Sequence, residues 1–519
     1  MKAFATLLDR LVLTPSRNGK LKLLADYFRD TPDPDRGYGL AAIAGTLDLK
    51  SVKPAMLREL VLERLDEVLF RYSYDYVGDL AETIALVWDR ERKDETPDGA
   101  QPRLGTVVER MNGLGRLEVR AAVRELLDRL DPSSRFAFLK LVTGGLRIGV
   151  SARLAKQALA EFSGMAVTEI ETLWHGLAPP YEPLFAWLEG SAERPVLATP
   201  AIFHSVMLAN PVGEGDLEAL DPENFAAEWK WDGIRVQLSA AGATRRMYSR
   251  SGDDISAAFP DIVGAMSFEG VVDGELLVGG TARSNSATRT FSDLQQRLNR
   301  KTVTAKMLQD YPVFVRAYDV LFDRDTDVRP EGFSLRRERL AALVERAPHD
   351  RFDLSPLVPF GSWDELDRLR AAPPDPVIEG VMIKRLDSPY QAGRLKGPWF
   401  KWKRDPYTVD TVMMYAQRGH GKRSSYYSDF TFGVWAGAPG EEMLVPVGKA
   451  YFGFTDAELE VLDRFVRNNT VDRFGPVRAV RAEPGFGFVL EVAFEGINRS
   501  TRHKSGIAMR FPRIARLRQ

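Results

Sequence analysis

The chain has 519 residues, 44% hydrophobic and 28% charged, with a formal net charge of −1. That length exceeds one ordinary domain and suggests three or four; the near-neutral balance excludes a global basic field, so a nucleic-acid partner would need local basic patches. The chain has no cysteine, which excludes disulfides, thiolate-bound zinc and iron–sulfur clusters and fits a cytoplasmic location.

The opening MKAFATLLDRLVL has its apolar run broken by Asp9 and Arg10, which makes a poor signal peptide. No stretch approaches the ~18 apolar residues that span a bilayer, so no membrane partner is expected. To about residue 200 the pattern predicts helices: Glu118–Leu130 and Ser151–Phe162 repeat apolar residues at helical spacing, with Ser151 placed as an N-cap. Prolines 179, 180, 183, 195, 200 and 211 then mark a connecting stretch. From about Phe225 the texture changes. Arg235–Arg250 reads as two strands around a glycine turn, and Val271–Val278 as a further, interrupted strand. Helical patterns at Ser292–Lys301 and Leu335–Ala347 alternate with these, which predicts an α+β domain. After Asp405-Pro406 come short, glycine-punctuated β segments with one helical insertion, Asp456–Val466, the pattern of a small β-barrel. The expected domains are thus 1–200, 201–404 and 405–519.

One stretch stands out for chemistry: EWKWDGIRVQL, Glu228–Leu238. A lysine acts as a nucleophile only when neutral, which needs burial or nearby positive charge. Trp229 and Trp231 supply apolar packing around Lys230, Asp232-Gly233 permits a tight turn, and Arg235 is suited to a sugar hydroxyl or a phosphate. The bland alternative is a snorkelling lysine at a strand end. Four fixed positions in K-x-D-G-x-R arise by chance in under about 1% of chains this long, which favours the chemical reading. Further segments follow in one order: SRSGDD with Arg250, VDGEL with Glu275, RAYDVLF with Tyr318, IEGVMIKR with Glu379, Met382 and Lys384, AGR with Arg394, WFKWK with Lys401 and Lys403, and RFPR with Arg510 and Arg513. Lys401 and Lys403, two apart on a strand, share a face.

This series closely resembles the covalent nucleotidyltransferases, specifically the ATP-dependent DNA ligases, in which K-x-D-G-x-R is the adenylylation motif and RFPR the ligase form of the last motif. Upstream, TPSRNGK and LKLVTGGLRIGVSARLAKQAL are similar to the helical DNA-binding domain of larger ligases of bacterial type. The resemblance therefore spans nearly the whole chain. It implies an all-α DNA-binding domain, an α+β adenylation domain and a C-terminal OB-fold barrel. The activity it implies is sealing of nicks in duplex DNA through a lysyl-AMP and a 5′-adenylated DNA, in repair rather than replication, with ATP, Mg2+ or Mn2+, and nicked DNA as partners. A single chain would suffice, since three domains can encircle DNA.

The resemblance also implies residue roles. Lys230 attacks the α-phosphorus, and Lys401 and Lys403 neutralise charge there. Glu228 reads the adenine amino group, Tyr318 stacks on the base, and Met382 covers its other face. Arg235, Arg250, Lys384 and Arg394 join the nucleotide or phosphate contacts. Glu379 serves the metal and Glu275 the ribose hydroxyl, the metal, or both. Arg510 or Arg513 orients the departing pyrophosphate when the barrel closes, with a hinge at Lys403–Tyr407. Arg17, Lys20, Arg147 and Arg153 would meet DNA, as would the loop with Lys422 and Arg423. The nearest alternative is an RNA ligase or a GTP-using capping enzyme, against which the helical domain and RFPR argue. The NAD-dependent ligases carry a cysteine-bound zinc that this chain cannot build. A noncatalytic scaffold would be expected to have lost Lys230, Glu379 or the lysine pair, and all are present.

Overall fold

The computed structural model describes every residue except 48, 50–51, 89–100, 116, 145, 147, 198–200, 282–287, 299, 301, 420–424, 439–441, 501–504 and 519. Arg147, Lys422 and Arg423 lie outside the described residues. The chain forms two compact units, Met1–Ala155 with Pro406–Gln519, and Lys156–Asp405. Residues 156–197, expected with the N-terminal part, cluster with the central unit.

The N-terminal region is helical: α1 (Lys2–Leu13), α2 (Arg17–Asp30), α3 (Asp35–Ala44), α4 (Pro54–Leu62), α5 (Glu67–Val77), α6 (Leu80–Val87), α7 (Leu104–Gly113), α8 (Val119–Arg129), α9 (Pro132–Thr143) and α10 (Ala152–Ser163). Local chemistry sets these ends. Asp131 accepts from the Ser134 amide at 2.7 Å, Pro132 starts α9, and Gly144 ends it at φ 71°. Ser151 accepts from the Leu154 amide at 3.2 Å, as an N-cap should. The apolar faces meet in a core containing Phe4, Leu11, Phe28, Val107, Leu127 and Phe138, with α9 packed on α1 and α6.

The central unit holds α11 (Val167–Trp174), α12 (Glu182–Leu188) and two sheets. The first sheet has strand order β1 (Asn210–Pro211), β11 (Trp399–Lys403), β10 (Ile378–Arg385), β2 (Phe225–Trp231), β9 (Leu357–Val358). The second runs β4 (Thr244–Ser249), β3 (Ile234–Ala241), β5 (Gly270–Val278), β6 (Val313–Asp323), β7 (Thr326–Asp327), with β8 (Phe352–Leu354) beside β6. Helices α13 (Pro260–Ala265), α14 (Phe291–Leu294), α15 (Ala305–Asp310), α16 (Phe333–Glu345) and α17 (Trp363–Ala371) complete it. Arg235–Arg250 is the expected hairpin, turning at Gly242. Of the helix expected over Ser292–Lys301, the described residues up to Leu298 form only the end of α14, which stops at Leu294. The reason is Arg297: fully buried, it donates to Asp261 at 2.5 Å and to the Ala258 carbonyl at 2.9 Å, an anchorage a solvated helix face would forgo. A second buried pair, Arg336 to Asp319 at 2.8 and 3.0 Å, fixes α16 on β6. Both side chains are solvent-excluded, and losing either partner would cost about 3–5 kcal/mol.

The C-terminal region is a strand-rich, OB-like half-barrel. Its strands are β12 (Tyr407–Arg418), β13 (Tyr427–Ala436), β14 (Met443–Ala450), β15 (Thr470–Phe474), β16 (Val477–Val480), β17 (Val489–Phe494), β18 (Gly496–Arg499), β19 (Ile507–Arg510) and β20 (Arg513–Arg518). The long β12 pairs with β13 and β16 through one half and with β17 through the other. α18 (Asp456–Asn469) opens with a capping box of Thr455 and Glu458 and buries Leu459, Leu462 and Val466 against Phe430, Phe432 and Leu490.

Candidate active site

Strand alternation sorts the first sheet into two faces. Phe225, Ala227 and Trp229 of β2, Val381 and Ile383 of β10, and Phe400 and Trp402 of β11 pack into one apolar cluster with Leu366 of α17. The opposite face is a three-by-three grid set by the register. Ala226 pairs with Lys384 and that with Trp399; Glu228 pairs with Met382 and that with Lys401; Lys230 pairs with Gly380 and that with Lys403. Burial falls off along the grid: Lys384, Trp399 and Glu228 are 1–2% exposed, whereas Lys230, Lys401 and Lys403 are half-buried. Trp229 therefore packs beneath the sheet. Trp231 packs with Leu277, Phe314 and Val377, with the Arg316 guanidinium 4.1 Å from its ring.

Period-two alternation would send Glu379 into the apolar cluster with Val381 and Ile383. A bulge between Ile378 and Gly380 re-aims it. Gly380 sits at φ 148°, and a Cβ there would run into the Trp402 carbonyl oxygen and lie 2.7 Å from the Lys403 Cα, so only glycine lets β10 and β11 pair at this point. Glu379 is then shared: Oε1 pairs with Lys230 and Oε2 with Lys403 at 3.1 Å. Burial raises its pKa, but the two ammonium groups outweigh burial and hold the carboxyl below its usual value. Burial depresses the Lys401 pKa, reinforced by the charges of Arg394, Lys230, Lys403 and Arg250.

Asp232-Gly233 carries the chain out of the first sheet into the second. The Asp232 amide donates to the Val377 carbonyl at 2.8 Å, and a Cβ on Gly233 would run into the Leu276 carbonyl oxygen. In the second sheet Arg235 registers opposite Glu275. Burial pushes the Glu275 carboxyl up to about 7; Lys230 and Arg235 pull it down, while Glu379 and Asp232 push it further up. Two carboxyls that repel each other beside a half-buried lysine suit a divalent cation, which keeps several waters and needs few protein carboxylates. Among the described residues no cluster of three or more metal-binding side chains exists, so Glu275 and Glu379 fit such an ion only with water and phosphate oxygens completing its shell.

The buried end of the grid is tightly held. Glu228 accepts from Arg337 at 2.8 Å through Oε1 and pairs with Lys384 at 2.5 Å through Oε2. Lys384 is sequestered: its Nζ lies 4.6 Å from the Trp399 ring centroid and 4.8 Å from that of Tyr318, and donates to the Tyr318 carbonyl at 3.2 Å. Arg235 donates to Asp273 at 2.6 Å, to the Tyr390 hydroxyl at 3.1 Å and to the Met207 carbonyl at 2.6 Å, while its buried Nε has no partner among the described residues. An unsatisfied buried donor is costly unless an incoming acceptor completes it. Sequence reasoning missed Arg337, Asp273, Tyr390 and the role of Gly380. Arg337 sits in a charged helix that reads as a solvated face, and Tyr390 carries no local signal.

Arg250 and Arg394 are exposed. Arg510 ends β19 and Arg513 begins β20 in the other compact unit. Arg17 and Arg153 are exposed, but Lys20 donates to the Ile148 and Gly149 carbonyls, both at 3.0 Å, and so ties down the glycine-rich loop.

Family comparison agrees with this layout. Residues 1–160 match the family model "DNA ligase N terminus", 206–403 "ATP dependent DNA ligase domain" and 423–519 "ATP dependent DNA ligase C terminal region". A probable DNA ligase of Koribacter versatilis is 30% identical, covering 100% of this chain and 93% of its own. One from Anaeromyxobacter sp. (strain K) is 31% identical over 92% and 96%. The solved structure named Pmar-Lig_PreS3, 16% identical, covers 99% of both chains at a TM-score of 0.61, which speaks for the fold. No helix among the described residues is long and apolar enough to cross a membrane. With full-length relatives at this identity and all three regions matched in order, the chain belongs to the ATP-dependent DNA ligases, enzymes whose general activity is to seal nicks in DNA.

Proposed function

We propose that the chain seals nicks in duplex DNA through a covalent Lys230–AMP, using ATP and Mg2+, in the service of DNA repair. The observation that carries the reading is Glu379 held between Lys230 and Lys403, with Lys401 on the same face. The Lys230 ammonium gives up a proton to solvent and its nitrogen attacks the α-phosphorus in line; a P–N bond forms, the nitrogen sheds a second proton to solvent, and pyrophosphate leaves with the electron pair of the broken P–O bond. The 5′-phosphate oxygen of the nick then takes the adenylyl group and returns the electron pair to Lys230. Finally the 3′-hydroxyl oxygen attacks the 5′-phosphate phosphorus of the nick, AMP departs with the electron pair of the P–O bond that joined it to that phosphorus, and the hydroxyl proton passes to solvent.

Phosphoryl-type transfer depends mainly on positioning and charge neutralisation. Lys401 and Lys403 supply positive charge where the α-phosphate sits, and Arg235, with its unpartnered Nε, takes a ribose or phosphate oxygen. Tyr318 and Met382 flank the base beside the Glu228 row. Glu275 and Glu379 would hold the metal, which when bound neutralises phosphate charge. Bound ATP draws Lys230 and Lys403 away from Glu379 and frees that carboxylate for the ion. Arg17 and Arg153 supply phosphate contacts to the duplex, and one chain suffices.

The test is sealing of nicked DNA against nicked RNA with ATP, GTP or NAD as sole nucleotide. The proposal requires sealing of DNA with ATP and a divalent ion. Sealing of RNA alone, or dependence on GTP, would overturn it.

A further inference from the structure

The turn that carries Arg250 is built to be held from behind. Ser249 organises it: its amide donates to the Asp253 carbonyl at 2.9 Å, its carbonyl accepts from Gly252 at 3.0 Å, and its hydroxyl accepts from the Ser251 and Asp253 amides at 3.3 and 3.2 Å. Arg250 projects from this turn, exposed, and makes no ion pair among the described residues. With no ion pair of its own, Arg250 does not anchor the turn, so the turn must be held in place by something else.

What holds it is an aromatic clasp from outside the two sheets. His175, directly after α11, lies against Gly252, which adopts φ 91°. A Cβ at Gly252 would lie 2.5 Å from the His175 Nδ1 and 3.0 Å from the Phe203 Cδ1. Phe203 meets His175 edge-on, with centroids 4.5 Å apart, and meets Tyr248, the residue before Ser249, at 5.9 Å. The Tyr248 hydroxyl donates to the Ala201 carbonyl at 2.7 Å. Burial and the nearby Lys156 push the imidazole down to about 4, so at neutral pH it packs as an uncharged ring. Lys156 is itself fixed by Glu171 of α11 at 3.0 Å.

We propose that His175 is a positioning residue for nick sealing: its ring, seated on the bare backbone of Gly252, fixes the turn that carries Arg250. The residues after 156 thereby do more than connect, since they set a phosphate contact more than seventy positions further along the chain. This rests on the reading of Arg250 as a phosphate-binding residue.

Two measurements test it. The first is amide exchange across Ser249–Asp253: His175→Ala should speed it roughly tenfold, as local opening follows the loss of packing, and His175→Phe, which keeps a ring, should restore most of the protection. Unchanged exchange in His175→Ala overturns the clasp. The second is steady-state sealing of nicked DNA by His175→Ala, Arg250→Ala and the double variant. A misaimed contact of this kind should lower kcat/KM roughly tenfold, and the loss should not add to that of Arg250→Ala. An additive double variant means His175 acts elsewhere and overturns the proposal. Wild-type sealing by Arg250→Ala overturns it through the assignment it rests on, and the exchange measurement separates that failure from a failure of the clasp.

Discussion

Lys230 and Glu379 are ion-paired across adjacent strands, and the same carboxylate reaches Lys403 at 3.1 Å. One acid therefore counterbalances two lysines that would otherwise repel each other beside Lys401. Glu379→Gln keeps the shape and removes the charge. It should cut formation of enzyme–AMP by about a hundredfold or more, the usual effect of losing a key electrostatic group. The divalent-ion concentration needed for half-maximal rate should rise as well. A variant that labels at the wild-type rate and wild-type metal requirement would contradict this assignment.

Gly380 separates the strands that carry the three lysines. Gly380→Ala puts a Cβ against the Trp402 carbonyl at φ 148°, a backbone strain of about 1–3 kcal/mol with steric displacement added to it. Thermal unfolding should show a lower Tm, and self-adenylylation should fall further than stability alone explains, because Lys403 moves relative to Lys230. Equal labelling per folded molecule would contradict the point.

The Glu275 carboxyl titrates at about 7, raised by burial. The sign follows from linkage: a group raised above its unfolded value stabilises the fold fully below the unfolded pKa, and that stability is lost as pH rises through 7. Glu275→Gln, neutral at every pH, should melt roughly 2–4 °C higher than wild type at pH 8.5 and match it at pH 4. Divalent-ion affinity of the wild type should rise through the same pH range, since the ion needs the ionised carboxylate. An equal gain in Tm at both pH values would contradict the burial argument.

Lys20 and its neighbours divide by chemistry. Arg17 and Arg153 are exposed, whereas Lys20 donates to the Ile148 and Gly149 carbonyls and keeps one N–H free of them. Replacing Arg17 or Arg153 by Ala should lower the slope of log affinity for nicked duplex against log salt by about 1 each. Lys20→Ala should weaken binding with the slope unchanged. Binding isotherms at four salt concentrations decide the matter.

How much was legible follows from which physical rule each residue obeys. Lys401 and Lys403 share a face because strands alternate, and alternation is written in the sequence; Lys230 joins them only through the register of β2, β10 and β11. The tryptophans obey the same rule and fall into packing roles. Glu379 breaks it: only the bulge at Ile378–Gly380 turns its carboxylate toward the lysines, and periodicity alone would have buried it with Val381 and Ile383. Lys20 is expected to meet DNA, and nothing local in the sequence signals the two carbonyls that the fold also brings to it. Arg297 defeated the helical pattern of Ser292–Lys301 for a similar reason, since its partners Asp261 and Ala258 lie more than thirty residues upstream. Arg337 and Tyr390 were invisible because their partners, Glu228 and Asp273, are more than a hundred residues away. Local pattern locates a site; long-range pairs decide which of its residues are free to act.

The most direct test of the account is incubation of the purified chain with α-labelled ATP and Mg2+, followed by denaturing electrophoresis. The account predicts label on the protein, labile to acid and stable to base as a P–N bond is, and none with Lys230→Ala. Label on Lys230→Ala at the wild-type level, or none on the wild type, would contradict it.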